Sequence, residues 1–264
     1  MSVGIEIHDG GLAHVTLSRA EAGNAIGLET AHGLREAAHA CAREDLRAVL
    51  LDGEGRSFCV GGDLREFSRF SGESLERHLL AVTEALHDAL RTFATIDAPM
   101  VAAVQGAVAG AGIGLASAAD VTLAADDASF TAAYTAIGYS PDAGVSWFLP
   151  RLVGPKRALD LLLTNRQVPA AEAAALGMVS QVVPADRLAA EAARTAEVLR
   201  RGPTAAFGAT RRLVASGMTA DLGAHLDRES AALAAAAASA TGREGVAAFL
   251  GKRAPEFTRV PPRS

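Results

Sequence analysis

Cysteine is scarce in this chain of 264 residues. There are only two, Cys41 and Cys59, and they stand in neither metal-ligand nor redox spacing. No metal site is expected. No run of Lys and Arg stands out and the net charge is −5, which argues against nucleic acid or an anionic membrane surface as the main partner. No block of eighteen apolar residues occurs, so no membrane span is expected. The N-terminus lacks a basic start followed by an apolar block, so no signal peptide is expected and a reduced, cytoplasmic protein is the default. Three nucleotide and nucleophile signatures are also missing. Gly110-Ala111-Gly112-Ile113-Gly114 does not have the G-x-G-x-x-G spacing of a dinucleotide loop. G-K-[ST] is absent, which excludes a P-loop, and G-x-S-x-G is absent, which excludes a nucleophile elbow.

What remains is ordinary globular composition, half apolar and about a fifth charged. MSVGIEIHDGGLAHVTLS alternates like two strands around a turn at Asp9-Gly10-Gly11. Further strand-like runs are AVLLDG (48–53), MVAAVQG (100–106) and VTLAA (121–125), with helical patterns between them at 28–42 and 74–95. This alternation predicts an α/β layer fold with a largely parallel sheet. Beyond residue 155 the patterns at 155–163, 170–176, 184–201, 203–217 and 222–250 read as helices, and only MVSQVV (178–183) resembles a strand. The chain therefore reads as a core over 1–200 and a helical region over 201–264. The run AALAAAAASA (231–240) reads as helix, since alanine is the best helix former.

Two stretches end a strand in glycines and then start a helix: SFCVGGDL (57–64) and QGAVAGAGIGLASAAD (105–120). One such turn is merely a place where glycine tolerates positive φ. Two in one domain point to a pair of backbone N–H donors facing one oxygen, an oxyanion hole suited to the enolate or tetrahedral adduct of an acyl group, particularly a thioester.

The order SRAEAGNAI (18–26), GEGRSFCVGGDLREF (53–67), APMVAAVQGAVAGAGIGLASAAD (98–120), FTAAYTAIGYSPDAGVSWFLPRLVG (130–154), LLLTNRQVPAAEAAALGMVSQVVP (161–184) and REGVAAFLGKRAPEF (243–257) resembles the crotonase, or enoyl-CoA hydratase/isomerase, superfamily over nearly the whole chain. The resemblance implies a spiral of ββα turns with a helical C-terminal trimerisation region. It implies a homotrimer or dimer of trimers, and an acyl-CoA substrate that carries coenzyme A with no separate cofactor. It also implies that the N–H groups of Gly62 and Ala111 hold the enolate.

The departures narrow the chemistry. The two glutamates with which the hydratases handle water and protons fall on Gly114 and Tyr134. Glycine cannot titrate, and tyrosine ordinarily titrates near pH 10. An acid appears instead at Asp142. PDAGVSWFLPR (141–151) resembles the ring-epoxide and double-bond isomerases of phenylacetate degradation. The same position carries the nucleophile of the 4-chlorobenzoyl-CoA dehalogenases, whose histidine falls on His87. The implied reaction is 3-enoyl to 2-enoyl isomerisation with Asp142 as acid/base. Aroyl-CoA hydrolysis or dehalogenation by Asp142, and simple acyl-CoA binding, stand as alternatives. Taken as residues alone, Asp142 fits a helix N-cap, Tyr134 a pocket wall, His87 a helix-surface histidine and Asp63 the cap of the helix after the first loop. The resemblance adds Ala22, Leu64 and Arg65 along the acyl-CoA path, and Phe249 and Lys252 near the adenosine end. An aryl-shaped pocket around Tyr134, Trp147 and Phe148 would favour hydrolysis, and an open, linear one isomerisation.

Overall fold

The computed structural model describes residues 2–43 and 45–259. Strands β1 (Val3–His8) and β2 (Leu12–Leu17) form the expected antiparallel hairpin. Its turn holds Gly10 and Gly11 at φ 85° and 84°, where a Cβ would be strained. Helix α1 (Leu28–Arg43) crosses over to β3 (Ala48–Gly53). A four-residue helix α2 (Leu64–Phe67) and the long α3 (Gly72–Thr95) lead to β4 (Met100–Val104). Strand β5 (Ala107–Ala109) and helix α4 (Ala111–Ala118) follow, then β6 (Val121–Ala125) and β7 (Ser129–Thr131). Next come α5 (Val145–Val153), α6 (Pro155–Thr164), β8 (Val168–Pro169), α7 (Ala170–Leu176) and β9 (Gln181–Val183). Four helices close the chain: α8 (Leu188–Arg200), α9 (Thr204–Gly217), α10 (Leu222–Ala238) and α11 (Ala240–Leu250). The last five residues of the C-terminal region, 260–264, lie outside the described residues. No described helix is long and apolar enough to cross a membrane.

The main sheet has the order β1-β2-β3-β4-β6-β9, and every pairing after the first hairpin is parallel. β4 is buried along its whole length and β3 over Ala48–Leu51, so they read as unbroken apolar runs. Alternate residues serve opposite faces. Val49, Leu51, Met100 and Ala102 belong to the core beneath α1 and α3. Leu50, Val101 and Ala103 face a smaller core completed by Leu188, Ala192 and Ala196 of α8. The second sheet, β5-β7-β8, was not evident from the sequence. Strands of two or three residues are too short for a period of two to register.

The single helix expected over 222–250 is broken. Ser239 is extended, at φ −73° and ψ 160°, and its Oγ accepts from the Gly242 amide at 2.9 Å, so it starts α11 as an N-cap. Alanine on both sides hides that stop from propensity alone.

Arg211 of α9 ties the C-terminal region to the sheet. It donates to the carbonyls of Phe93 (3.0 Å), Ile96 and Ala98 (3.3 Å) at the end of α3, and to Asp120 Oδ1 at 2.7 Å. Asp120 in turn accepts from the Met100 amide, where β4 begins. Arg211→Ala strands several partly buried acceptors and should lower unfolding stability by about 2–3 kcal/mol. Urea unfolding with an unchanged m-value would show this. A loss near zero would mean α9 is held without this contact.

Candidate active site

The first glycine loop is built around Asn24. This residue is fully buried at φ 56°. Its Nδ2 donates to the carbonyls of Glu54 (2.9 Å), Ser57 (2.9 Å) and Phe58 (3.0 Å), and its Oδ1 accepts from the Arg19 amide at 2.9 Å. Beyond it the chain runs alongside β5. The Phe58 amide donates to Gln105 O at 2.8 Å, Cys59 to Ala107 O at 3.3 Å, and Ala109 back to Cys59 O at 2.8 Å. This short ladder brings the two glycine turns together. Gly61 and Gly110 hold φ 95° and 50°. A Cβ on Gly61 would stand 3.1 Å from Ala109 O, and one on Gly110 would stand 3.4 Å from the Gly61 Cα. The Gly61 contact is tighter than a Cβ ordinarily makes, and at both glycines the positive φ strains any residue with a side chain. Cys59 is fully buried and burial pushes its thiol up to about 12, so it is neutral packing.

Gly62 and Ala111 line one cavity of about 670 Å³. Neither amide has an acceptor among the described residues. Ala111 is the first residue of α4, where helical N–H groups have no intrahelical partner. The short helix α2 is held against the cavity by Glu66, whose Oε1 accepts from the Leu28 amide at 2.9 Å and lies 2.8 Å from His78 Nε2.

Asp142 lines the same cavity. It is not the N-cap of α5, a position held by Gly144. Its carbonyl accepts from the Val145 amide at 3.0 Å, and its carboxylate Oδ1 lies 2.6 Å from His87 Nε2. His87 is therefore more than the helix-surface residue that its surroundings in LHDAL indicate, although its side chain keeps 40% exposure against 28% for Asp142. Tyr134 also lines the cavity, and its hydroxyl donates to the Asp142 carbonyl at 3.1 Å. Burial, followed by the charge of Asp142, pushes that phenol well above its ordinary range, so it acts as a neutral donor.

The remaining candidates divide. Leu64 lines the cavity. Asp63 is turned to structural work: Oδ1 accepts from the Glu66 amide at 3.0 Å and Oδ2 pairs with Arg19 at 3.0 Å. Burial works against its charge, but those donors outweigh it and hold the carboxyl below the usual range. Ala22, Arg65, Phe249 and Lys252 are not among the cavity-lining residues, and Phe249 is 83% exposed on α11. Trp147 and Phe148 do not line the cavity either. They meet edge to face at 4.9 Å, with the Arg151 guanidinium 4.0 Å above the indole. The wall is instead the face of α3 bearing Leu75, Leu79, Val82 and Leu86, with Glu76 and Thr83 beside them, closed by Ile137 and Tyr139. From Leu75 to Leu86 that face runs about 16 Å. In the sequence this spacing is the ordinary signature of a core-facing helix, which is why it gave no sign of a binding wall.

A family model described as enoyl-CoA hydratase/isomerase matches residues 8–260. The chain belongs to the enoyl-CoA hydratase/isomerase family. A Rhodobacter capsulatus protein named "Probable enoyl-CoA hydratase" is 42% identical, over 94% of this chain and 95% of its own. The 1,2-epoxyphenylacetyl-CoA isomerase of Escherichia coli is 36% identical, over 94% and 95%. The crystal structure of an enoyl-CoA hydratase from Polaromonas sp. JS666 superposes with a TM-score of 0.88 at 33% identity, covering 96% of this chain and 98% of that one. The fold is thus the crotonase fold expected from the motifs.

In this family member Asn24 supports the whole first loop. Asn24→Ala leaves three carbonyls without a donor and places a Cβ-bearing residue at positive φ without side-chain compensation. A stability loss of about 2–4 kcal/mol is expected by urea unfolding. Wild-type stability in this variant would show that the loop holds itself.

Proposed function

We propose that this enzyme moves a carbon–carbon double bond of an acyl-CoA thioester from the 3,4 to the 2,3 position, with Asp142 as acid/base. One observation carries the reading: Asp142 lines the same cavity as Gly62 and Ala111, whose amides are acceptor-free among the described residues. The thioester oxygen would accept from both amides. Asp142 would take the proton on C2, and the electron pair of that C–H bond would move into a dienolate held by the two N–H groups. Asp142 would then return a proton to C4, so that the double bond lies between C2 and C3 and nothing is added or lost. His87 holds Oδ1 and leaves Oδ2 for the substrate. Hydration is disfavoured, because Gly114 and the neutral Tyr134 stand where the hydratases carry carboxylates.

The aliphatic wall on α3 supports a linear acyl group. Aroyl-CoA hydrolysis, with Asp142 as nucleophile, is the second reading. The His87 contact favours it, and the absence of Trp147 and Phe148 from the cavity lining weighs against it. Coenzyme A arrives as part of the substrate and no separate cofactor takes part. A homotrimer or dimer of trimers in the cytoplasm completes the proposal.

With a trans-3-enoyl-CoA, the conjugated 2-enoyl thioester should form, and Asp142→Asn should lower kcat by about 10²–10⁴-fold. No turnover by the parent protein would sink the isomerase reading and direct attention to release of CoA from an aroyl-CoA. Leu79→Trp fills the middle of the α3 wall. It should lower kcat/KM for a decenoyl thioester at least about tenfold relative to a butenoyl one. Equal effects on both chain lengths would remove α3 from the acyl site.

A further inference from the structure

We infer that Gly114 is the positioning residue for Asp142: the missing side chain in the middle of α4 is the seat on which the turn bearing that carboxylate rests. The inference rests on the reading of Asp142 as the acid/base. A Cβ on Gly114 would stand 2.2 Å from the carbonyl oxygen of Ala143, 2.8 Å from its Cβ and 3.0 Å from its carbonyl carbon. Two of those three atoms are backbone, so no rotamer change relieves the overlap and the turn itself must move. Ala143 follows Asp142 directly, is fully buried and holds φ 52°, outside the usual range for alanine. The turn is fixed from its other side as well, because the Tyr134 hydroxyl and the Val145 amide both donate to the Asp142 carbonyl. Held by these contacts, the Asp142 side chain reaches His87 at 2.6 Å.

Helix geometry alone does not ask for glycine here. Glycine is among the poorest residues for a helix interior and alanine the best, so a purely helical position would gain from Gly114→Ala. Its neighbour in α4, Gly112, has a matching contact: a Cβ there would stand 2.4 Å from Cys59 O. Helix α4 therefore touches backbone on two fronts. Gly112 meets the segment leading to the Gly62 amide, and Gly114 meets the turn bearing Asp142. The helix begins with the Ala111 amide itself. The two donors and the acid are set relative to one another through these two glycines.

The test is Gly114→Ala made in the parent and in Asp142→Asn. In the parent it should lower kcat about tenfold to hundredfold on a 3-enoyl-CoA while leaving the Kd of a saturated acyl-CoA within about twofold. In Asp142→Asn it should cost nothing further, because the group it positions is already disabled. Adding Ala143→Gly, which lets the turn back away, should restore part of the loss. Should Gly114→Ala not fold, the Gly114→Ala/Ala143→Gly pair is compared with Asp142→Asn in the same way. An independent readout is the ring-nitrogen resonance of His87 by NMR, which Gly114→Ala should shift in the direction that Asp142→Asn shifts it. Unchanged kcat, an equal fold-loss in both backgrounds, or an unmoved His87 resonance would overturn the inference. If the parent does not isomerise, the isomerase reading fails by itself, and the His87 resonance still decides whether Gly114 sets Asp142.

Discussion

Two stretches of backbone can lie against each other only where no side chain stands between them. This constraint is met at three contacts around the candidate site. Gly61 and Gly110 face each other across two turns, Gly112 lies on the Cys59 carbonyl, and Gly114 lies on the Ala143 carbonyl. Main-chain groups are the least mobile donors a protein has, because shifting one means shifting an element. An amide such as that of Gly62 or Ala111 is therefore preorganised in a way that a long side chain is not. The parallel sheet supplies the scaffold, since β3 and β4 each end where a loop must begin and the ladder from Cys59 to β5 keeps those loops adjacent.

Polar anchoring completes this arrangement where apolar packing cannot. The loop between Gly53 and Phe58 has carbonyls that would otherwise lack donors, and one buried amide side chain, Asn24, serves three of them. Asp63 does the same kind of work between α2 and Arg19. Both residues sit in stretches that resemble the family's substrate path, yet their side chains point into the scaffold. A polar residue next to a binding loop is as often what holds the loop as what touches the ligand. Its hydrogen-bond partners decide between the two, and a sequence does not display them.

The sequence displayed well whatever is local and periodic. The hairpin, the strands read at 48–53 and 100–106 and the helices over 28–42 and 74–95 all followed from spacing. The paired glycine turns followed from their repetition. It displayed poorly whatever depends on contact across distance. His87 and Asp142 are separated by 55 positions and meet only because α3 and the turn before α5 close on one cavity. The cavity wall on α3 has the same apolar spacing as a helix face buried in a core, so nothing local separates a wall of a cavity from a wall of a core. Trp147 and Phe148 failed for the converse reason. They are near Asp142 in sequence, but α5 turns them onto each other and onto Arg151.

If the enzyme isomerises as proposed, the exchange of acids follows from the number of groups the chemistry needs. Adding water across a double bond requires that one group activate the water and that a proton be delivered to the neighbouring carbon. Moving a double bond along an acyl chain requires one proton to leave C2 and one to arrive at C4. A single carboxylate that faces both carbons can do both steps, provided the negative charge on the thioester oxygen is held between them. A second carboxylate would place like charge beside the dienolate and raise its energy. Glycine at 114 and a neutral phenol at 134 place no carboxylate at those two positions, and the other acid that lines the cavity is Glu76 of α3. Tyr134 also supports the Asp142 carbonyl as a neutral donor, since burial pushes its phenol above the ordinary range. On the proposed reading, Asp142, two fixed amides and a largely aliphatic wall fit together as parts of a site for proton transfer without water.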